Sequence, residues 1–277
     1  MEITVGVLAL QGAFYEHLQL LKKAVEVLDS SDQWQFIQVR TTEELSRCDA
    51  LIIPGGESTA IALVAARSGL LEPLRDFVKV HRKPTWGTCA GLILLAESAN
   101  RTKQGGQELI GGLDVRVNRN HFGRQTESFQ TPLTLDFLAD DASGPPAPFN
   151  GVFIRAPVVE KILPHQAGKS QRDDCETVVA PSHPVQDQNQ DTSADKDRSV
   201  EVLAKLPGRA ARLTEQTGVT IDTEKDAGDI VAVKQGNVFG TSFHPELTDD
   251  PRIHLWWLRQ VRDAVHKRSG AAQLPVR

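Results

Sequence analysis

Cys89 stands in the run Thr85-Trp86-Gly87-Thr88-Cys89-Ala90-Gly91, with a glycine two residues to either side of the thiol. The apolar stretch before it reads as a buried strand and the series after it as a helix, so the cysteine falls on a strand-to-helix turn. That is the layout of a nucleophile elbow, in which a strained turn lifts the side chain to the carboxyl edge of a sheet and small neighbours let the backbones close up. The start of a helix there adds positive potential that favours a thiolate. A buried cysteine on its own is more often a small hydrophobe than a catalyst. The glycine frame is what shifts the reading towards nucleophilic chemistry.

A thiol nucleophile needs a base and something to orient that base. Phe243-His244-Pro245-Glu246, at the end of the last extended stretch, offers both. Residues two apart on an extended chain face the same side, and the proline biases His244 towards that geometry, so Glu246 is expected to lie beside the imidazole and fix its tautomer. The expected product is a Cys89-His244-Glu246 triad. Pro54-Gly55-Gly56-Glu57-Ser58, placed after a buried strand and before a helix, reads either as an ordinary glycine turn or as a source of free backbone N–H groups for an oxyanion. In the second case Gly55 and Gly56 form one side of the hole, and the amide of Ala90, just past the nucleophile, forms the other. The lysine of a phosphate-binding loop is absent from this turn.

These residues need a scaffold, and the chain supplies an alternating pattern. Ile3 to Leu10 reads as a buried strand, and Phe14, Leu18, Leu21, Val25 and Leu28 mark one face of a helix. Extended stretches at Gln35 to Val39 and Ala50 to Ile53 follow, then helices over Thr59 to Arg67 and Leu71 to Val80. A strand at Pro84 to Gly87 leads into a helix through Leu92, Leu95 and Ala96. Strand and helix in turn predict an α/β fold, with a mostly parallel central sheet and helices on both faces. Beyond Arg116 the pattern changes to short extended pieces, Arg116 to Asn118, Gly151 to Ala156, Val200 to Leu206 and Ile230 to Phe239, expected to extend or flank that sheet. Lys234-Gln235-Gly236-Asn237 is a hairpin signal. A closing helix carries Ile253, Trp256, Trp257, Val261 and Val265, with both tryptophans read as packing. Gln166 to Arg198 is polar and reads as a disordered insertion in a single domain spanning 1–270, Leu206 to Gly228 is ambiguous, and 271–277 reads as a frayed tail.

Composition narrows the function classes. The 277 residues include 31 basic and 36 acidic side chains, for a formal charge of −5 and no basic stripe suited to a phosphate backbone, so no nucleic-acid partner is expected. No apolar run approaches the roughly 18 residues that span a bilayer, and no basic leader precedes the first strand, so a cytoplasmic protein away from membranes is expected. Cys48, Cys89 and Cys175 are too few and too irregular for a disulfide scaffold or a four-ligand zinc site, and no metal is expected.

Taken in order, Pro54-Gly55-Gly56-Glu57-Ser58, Gly87-Thr88-Cys89-Ala90-Gly91 and Phe243-His244-Pro245-Glu246 resemble the class I glutamine amidotransferases. Leu8-Ala9-Leu10-Gln11-Gly12-Ala13, the run from Asn118 to Gln125, Phe153-Ile154-Arg155-Ala156-Pro157 and Ser242 to Leu247 narrow the resemblance to the glutaminase subunits of pyridoxal 5′-phosphate synthase. It covers most of residues 1 to 164 and 229 to 268, and the combination is specific where each motif alone is not. It implies a flavodoxin-like glutaminase fold, L-glutamine as substrate and an ammonia-accepting synthase subunit as partner. Pyridoxal phosphate is then the partner's product and no cofactor of this chain. Residue by residue it implies Cys89 as nucleophile, His244 as base and acid, Glu246 as its orienting group, and Gly56, Glu57, Ser58, Arg119, Ile154 and Arg155 as the positions that hold glutamine. A carboxylate such as Glu57 suits an α-ammonium group and a guanidinium suits an α-carboxylate. Taken as bare residues, either arginine would serve equally well in a surface ion pair.

Overall fold

Strand β3 (Ala50–Ile53) is buried at every position and divides the core in two. Leu51 and Ile53 face one apolar layer, Ala50 and Ile52 the other, as the period of two along a strand requires. A strand with no polar face belongs in the middle of a sheet covered on both sides. The covering helices come from the segments before and after it.

The structure is a computed structural model that describes residues 1–100, 107–119, 128–139, 146–164, 177–181, 199–206 and 228–272. Strands β1 (Glu2–Leu8), β2 (Gln33–Val39), β3 and β4 (Thr85–Thr88) alternate with helices α1 (Phe14–Val27), α2 (Thr42–Ser46), α3 (Ser58–Arg67) and α4 (Leu71–Arg75). The last of these runs on through a π-helical turn at Asp76–Val80. Helix α5 (Ala90–Leu95) then leads into β5 (Ala96–Asn100), β6 (Leu113–Asn118), β7 (Ser128–Leu133), β8 (Phe149–Ile154), β9 (Val158–Ile162), β10 (Thr177–Val179), β11 (Glu201–Leu206), β12 (Asp229–Gln235) and β13 (Val238–Thr241). Helix α6 (Arg252–Ala272) closes the fold.

One large sheet runs β10-β5-β6-β9-β12-β13-β4-β3-β1-β2, with β11 on β12. Pairing is parallel from β2 through β1, β3 and β4 to β13. The later strands join mostly antiparallel, with β5 and β6 as a parallel pair. On one face, α3, α4 and α5 bury Ile61, Leu74 and Leu92. On the other, Ile3, Val5 and Val7 of β1 pack with Leu18 and Leu21 of α1 and with Trp257 and Val261 of α6. Trp257 is buried in this layer, and Trp256 packs tilted against Phe137 and edge-on against Phe239 at its edge, so both tryptophans are packing residues.

The α/β architecture agrees with the alternation in the sequence, but several details differ. The helix after Cys89 stops at Leu95: Ala96 turns extended (φ −68°, ψ 142°) and opens β5, so the apolar run through Ala96 is helix and strand in succession. The extended piece at Gly151 lies off the main sheet, because β8 pairs with β7 in a separate two-stranded sheet. As the hairpin signal at Lys234-Gln235-Gly236-Asn237 predicts, Ile230 to Phe239 is two antiparallel strands turned at Gly236. The segment Gln166 to Arg198 lies outside the described residues except for 177–181, where Thr177–Val179 forms a strand on β5. Most of Leu206 to Gly228 and residues 273–277 also lie outside them, whereas α6 extends to Ala272. No helix among the described residues is long and apolar enough to cross a membrane.

Candidate active site

Parallel pairing of β4 with β13 sets Gly87 beside Gly240 and Thr88 beside Thr241, so both strands deliver their C-terminal residues to one sheet edge. Cys89 follows β4 with φ 47° and ψ −96°, a left-handed backbone that a non-glycine residue adopts at a cost of about 1–3 kcal/mol. Two contacts hold it there. Its N–H donates to the Thr241 carbonyl at 2.7 Å, and its carbonyl accepts from Ile93 N in the first turn of α5. Gly91 is required as glycine, since a Cβ there would sit 2.1 Å from the Ile53 carbonyl oxygen of β3. The elbow is therefore pinned to strands on both sides. Its thiol lies 4.0 Å from the Ile154 carbonyl at the end of β8.

After β13 the chain passes Ser242 and Phe243 to His244, whose N–H donates to Val152 O at 2.8 Å. Pro245–Leu247 then form a 3₁₀ turn, with proline in the first position. This turn, rather than the continued extended chain expected from the sequence, curls Glu246 back under the imidazole. His244 Nδ1 and Glu246 Oε1 are 2.7 Å apart, and the Glu246 side chain is fully buried. Burial alone would push the His244 pKa down. Its interactions with the Cys89 side chain and the Glu246 carboxylate outweigh that and raise it to about 10. Burial likewise opposes ionisation of Glu246, yet the imidazoles of His17 and His244 leave its pKa below the ordinary carboxylate range.

Gly55 closes the other side of His244. A Cβ on Gly55 would fall 2.3 Å from the imidazole Cε1 and 2.6 Å from Nδ1, so only a glycine fits under the ring. The Gly55 carbonyl accepts from Ala13 N at 3.0 Å, and Gln11 Oε1 accepts from Glu57 N at 2.8 Å. Because carbonyl and N–H point opposite ways across a trans peptide, these bonds fix where the Gly56 N–H is aimed. Glu57 is the N-cap of α3, its carboxylate accepting from Thr59 N at 3.1 Å and Ala60 N at 2.7 Å.

Arg119, just past β6, is buried, and the cost of burying its charge lowers its pKa to about 10 against the pull of Glu57. Nη1 donates to Gln107 Oε1, while Nε and Nη2 have no partner among the described residues. A buried guanidinium with stranded N–H groups is poised for an anion. Ser58 Oγ at 3.1 Å and Thr59 Oγ1 at 3.2 Å also donate to Gln107 Oε1, so one amide oxygen ties Arg119 to the start of α3. Arg155 is exposed and takes φ 46°, with Ile154 beside it half-buried.

The structure thus gathers Cys89, His244, Glu246 and Gly55 at one sheet edge, and Ser58, Arg119 and the Glu57 charge in a second group. Cys48 is elsewhere: it is buried against Gly6, its thiol bonds to the Glu44 carbonyl, and burial pushes its pKa up to about 12. Cys175 and the residues from Asn120 to Gln125 lie outside the described residues. Sequence reasoning missed Gln107, which sits in a loop without a motif. It also missed His17, a polar residue inside the apolar stripe of α1, and that position was the available signal. Among the described residues no group of His, Cys, Asp and Glu could hold a metal ion.

Among solved structures, the chain is similar to a crystal structure of a glutamine amidotransferase, at a TM-score of 0.62 and 33% identity over 93% of this chain and 98% of that one. That sets the fold among the glutamine amidotransferases. The model of the SNO glutamine amidotransferase family matches residues 7–195 and 191–263, and the chain belongs to that family. Its relatives include a probable pyridoxal 5′-phosphate synthase subunit PDX2 from Arabidopsis thaliana, 39% identical over 99% of this chain and 92% of that one. The pyridoxal 5′-phosphate synthase subunit PdxT of Pyrococcus furiosus is 37% identical over 94% and 99%. Subunit SNO1 of the same synthase from Saccharomyces cerevisiae is 37% identical over 92% of each chain.

Proposed function

We propose that the chain is the glutaminase subunit of a pyridoxal 5′-phosphate synthase, releasing ammonia from L-glutamine for a separate synthase subunit. The observation that carries this reading is the strained Cys89 elbow facing an imidazole that is itself paired at 2.7 Å with a buried carboxylate. Cys89 passes its thiol proton to His244 and its sulfur attacks the amide carbon, forming the C–S bond, and the carbonyl oxygen becomes an oxyanion. Backbone N–H groups of the Gly55-Gly56 turn and of Ala90 hold that oxyanion. Collapse breaks the C–N bond, and His244 gives its proton to the departing ammonia. Water, deprotonated by His244, then cleaves the glutamyl thioester to glutamate and restores the thiol. Glu246 keeps the imidazole oriented and supports its charged form throughout.

Arg119 is suited to the α-carboxylate, because its Nε and Nη2, unpartnered among the described residues, are already desolvated. Gly56, Glu57, Ser58, Ile154 and Arg155 frame the remaining polar end of the substrate. The clamp between Gln11-Gly12-Ala13 and Gly55-Gly56-Glu57 suits a subunit whose oxyanion donor answers to a docked partner. The test is glutamate release by the chain alone, with the synthase subunit, and with the synthase subunit plus Gln11→Ala. Partner-stimulated release that is weakened in the variant is expected, and equal release with and without the partner would defeat the coupling.

A further inference from the structure

His17 of α1 and His254 of α6 are fully buried directly behind Glu246, and the reaction above uses neither. His17 Nδ1 and His254 Nε2 are 2.9 Å apart. On the other side of the ring, His17 Nε2 lies 3.2 Å from Thr88 Oγ1 and 3.5 Å from Glu246 Oε2. The inner oxygen of Glu246 is engaged by His244, and the outer one has no hydrogen-bond partner among the described residues. Trp86 packs edge-on against both imidazoles, with ring centroids at 5.5 and 4.8 Å, so water has little room to enter.

Proton placement follows from the partners. If His17 carried its proton on Nδ1, its bare Nε2 lone pair would face a carboxylate oxygen, and the His254 proton would be stranded on Nδ1, where no acceptor lies among the described residues. With the proton on Nε2, His17 donates towards Thr88 and Glu246 and accepts at Nδ1 from the His254 Nε2–H. Only a bare acceptor on His254 is then left over, which is the cheaper of the two losses. We infer that His17 is a positioning residue for the triad: its Nε2–H, held in that tautomer by His254, braces the outer oxygen of Glu246 and so aims the inner one at His244. The inference rests on the triad proposed above.

Electrostatics favours this form of brace. The groups facing Glu246 are His244 from its own turn, His17 from α1 with His254 of α6 behind it, Thr88 of β4, and Cys89 beyond the His244 ring. Burial lowers the pKa of His17 and of His254 to about 3, so at neutral pH His17 offers an N–H dipole rather than a second cation beside a charged His244. Without that dipole the carboxylate is less stabilised and takes up a proton at a higher pH, and the imidazole loses its anionic partner as it does so.

The experiment uses the full chain with its synthase subunit and measures kcat and KM for glutamine against pH in His17→Leu, His17→Gln, His254→Leu and Glu246→Gln. A glutamine side chain places an amide N–H where His17 Nε2 stands. For His17→Leu the expected result is a fall in kcat on the order of tenfold, an unchanged KM and an acid limb of kcat/KM displaced to higher pH. His17→Gln should recover most of both. Wild-type kcat and pH profile in His17→Leu, beside an impaired Glu246→Gln, would overturn this inference alone. So would a loss that leaves the limb in place and is no smaller in His17→Gln. Wild-type kinetics in Glu246→Gln would remove the triad and this inference together. Should His17→Leu fail to fold, His254→Leu decides, because it keeps His17 but frees its tautomer: a limb displaced in the same direction supports the brace, and an unmoved limb overturns it.

Discussion

The two buried imidazoles behind Glu246 make the fold sensitive to acid in a way that one substitution isolates. In the unfolded chain each takes a proton as pH falls through about 6.5. In the fold, burial holds His17 and His254 unprotonated down to about 3. Between those limits the unfolded state binds more protons, so stability is fully present above about 6.5 and drains away as pH falls. Each histidine contributes a slope of about 1.4 kcal/mol per pH unit, so the pair removes about 5 kcal/mol between pH 6 and pH 4, a large share of a typical domain's stability. His254→Leu keeps an apolar side chain against Trp86 and deletes one of the two titrations. Urea unfolding of wild type and variant at several pH values from 7 to 4.5 gives the comparison. Carboxylates such as Asp32, whose pKa the N-terminal ammonium lowers to about 2, contribute equally to both proteins and cancel. The variant is expected to lose stability less steeply, by about 1.4 kcal/mol per pH unit below pH 6. A difference between the two proteins that does not change with pH would mean that His254 takes its proton within the fold and is not held neutral by burial.

Gly55→Ala should cut kcat far more than it cuts stability, since its Cβ would land 2.3 Å from His244 Cε1 and push the ring off Glu246; a melting curve beside the kinetics checks both. On the proposed mechanism, glutaminase activity should fall as pH rises through about 10, where His244 loses the proton assigned to the leaving ammonia, and in Glu246→Gln the alkaline limb should move to lower pH. Arg119→Met should raise KM for glutamine with a smaller effect on kcat, read from initial rates of glutamate release, because the proposed role of its Nε and Nη2, unpartnered among the described residues, is binding rather than chemistry. Cys48→Ala should leave turnover intact, as its thiol is spent on the Glu44 carbonyl and buried away from the site.

Much of this arrangement was legible because it depends on local signals. A four-residue run with no polar member, as in β3, specifies a two-sided burial that only a covered sheet provides, and the glycines around Cys89 announce backbones in contact before any fold is known. What the sequence hid depends on long-range partners. Nothing in Leu94-Leu95-Ala96 tells a helix to stop, and the break comes from the pairing of β5 with β6 and β10. Gln107 has no local pattern and gains its role only where Arg119, Ser58 and Thr59 converge on one oxygen. Glu57, read as a partner for an ammonium group, also caps α3 with its carboxylate, a role equally open to an acidic residue before a helix. His244 and Glu246 were recognisable as a pair, but the 3₁₀ turn that joins them was not, because Pro245 is compatible with an extended chain and with a first helical position.

The most direct test is to inactivate the chain, in complex with its synthase subunit, with an electrophilic glutamine analogue and to map the adduct by peptide mass while following glutamate release. A single adduct is expected on the peptide carrying Cys89, formed in proportion to the activity lost, slowed by free glutamine and absent from Cys89→Ser. An adduct on Cys48, or full glutamate release from a chain whose Cys89 is completely labelled, would remove Cys89 as the nucleophile.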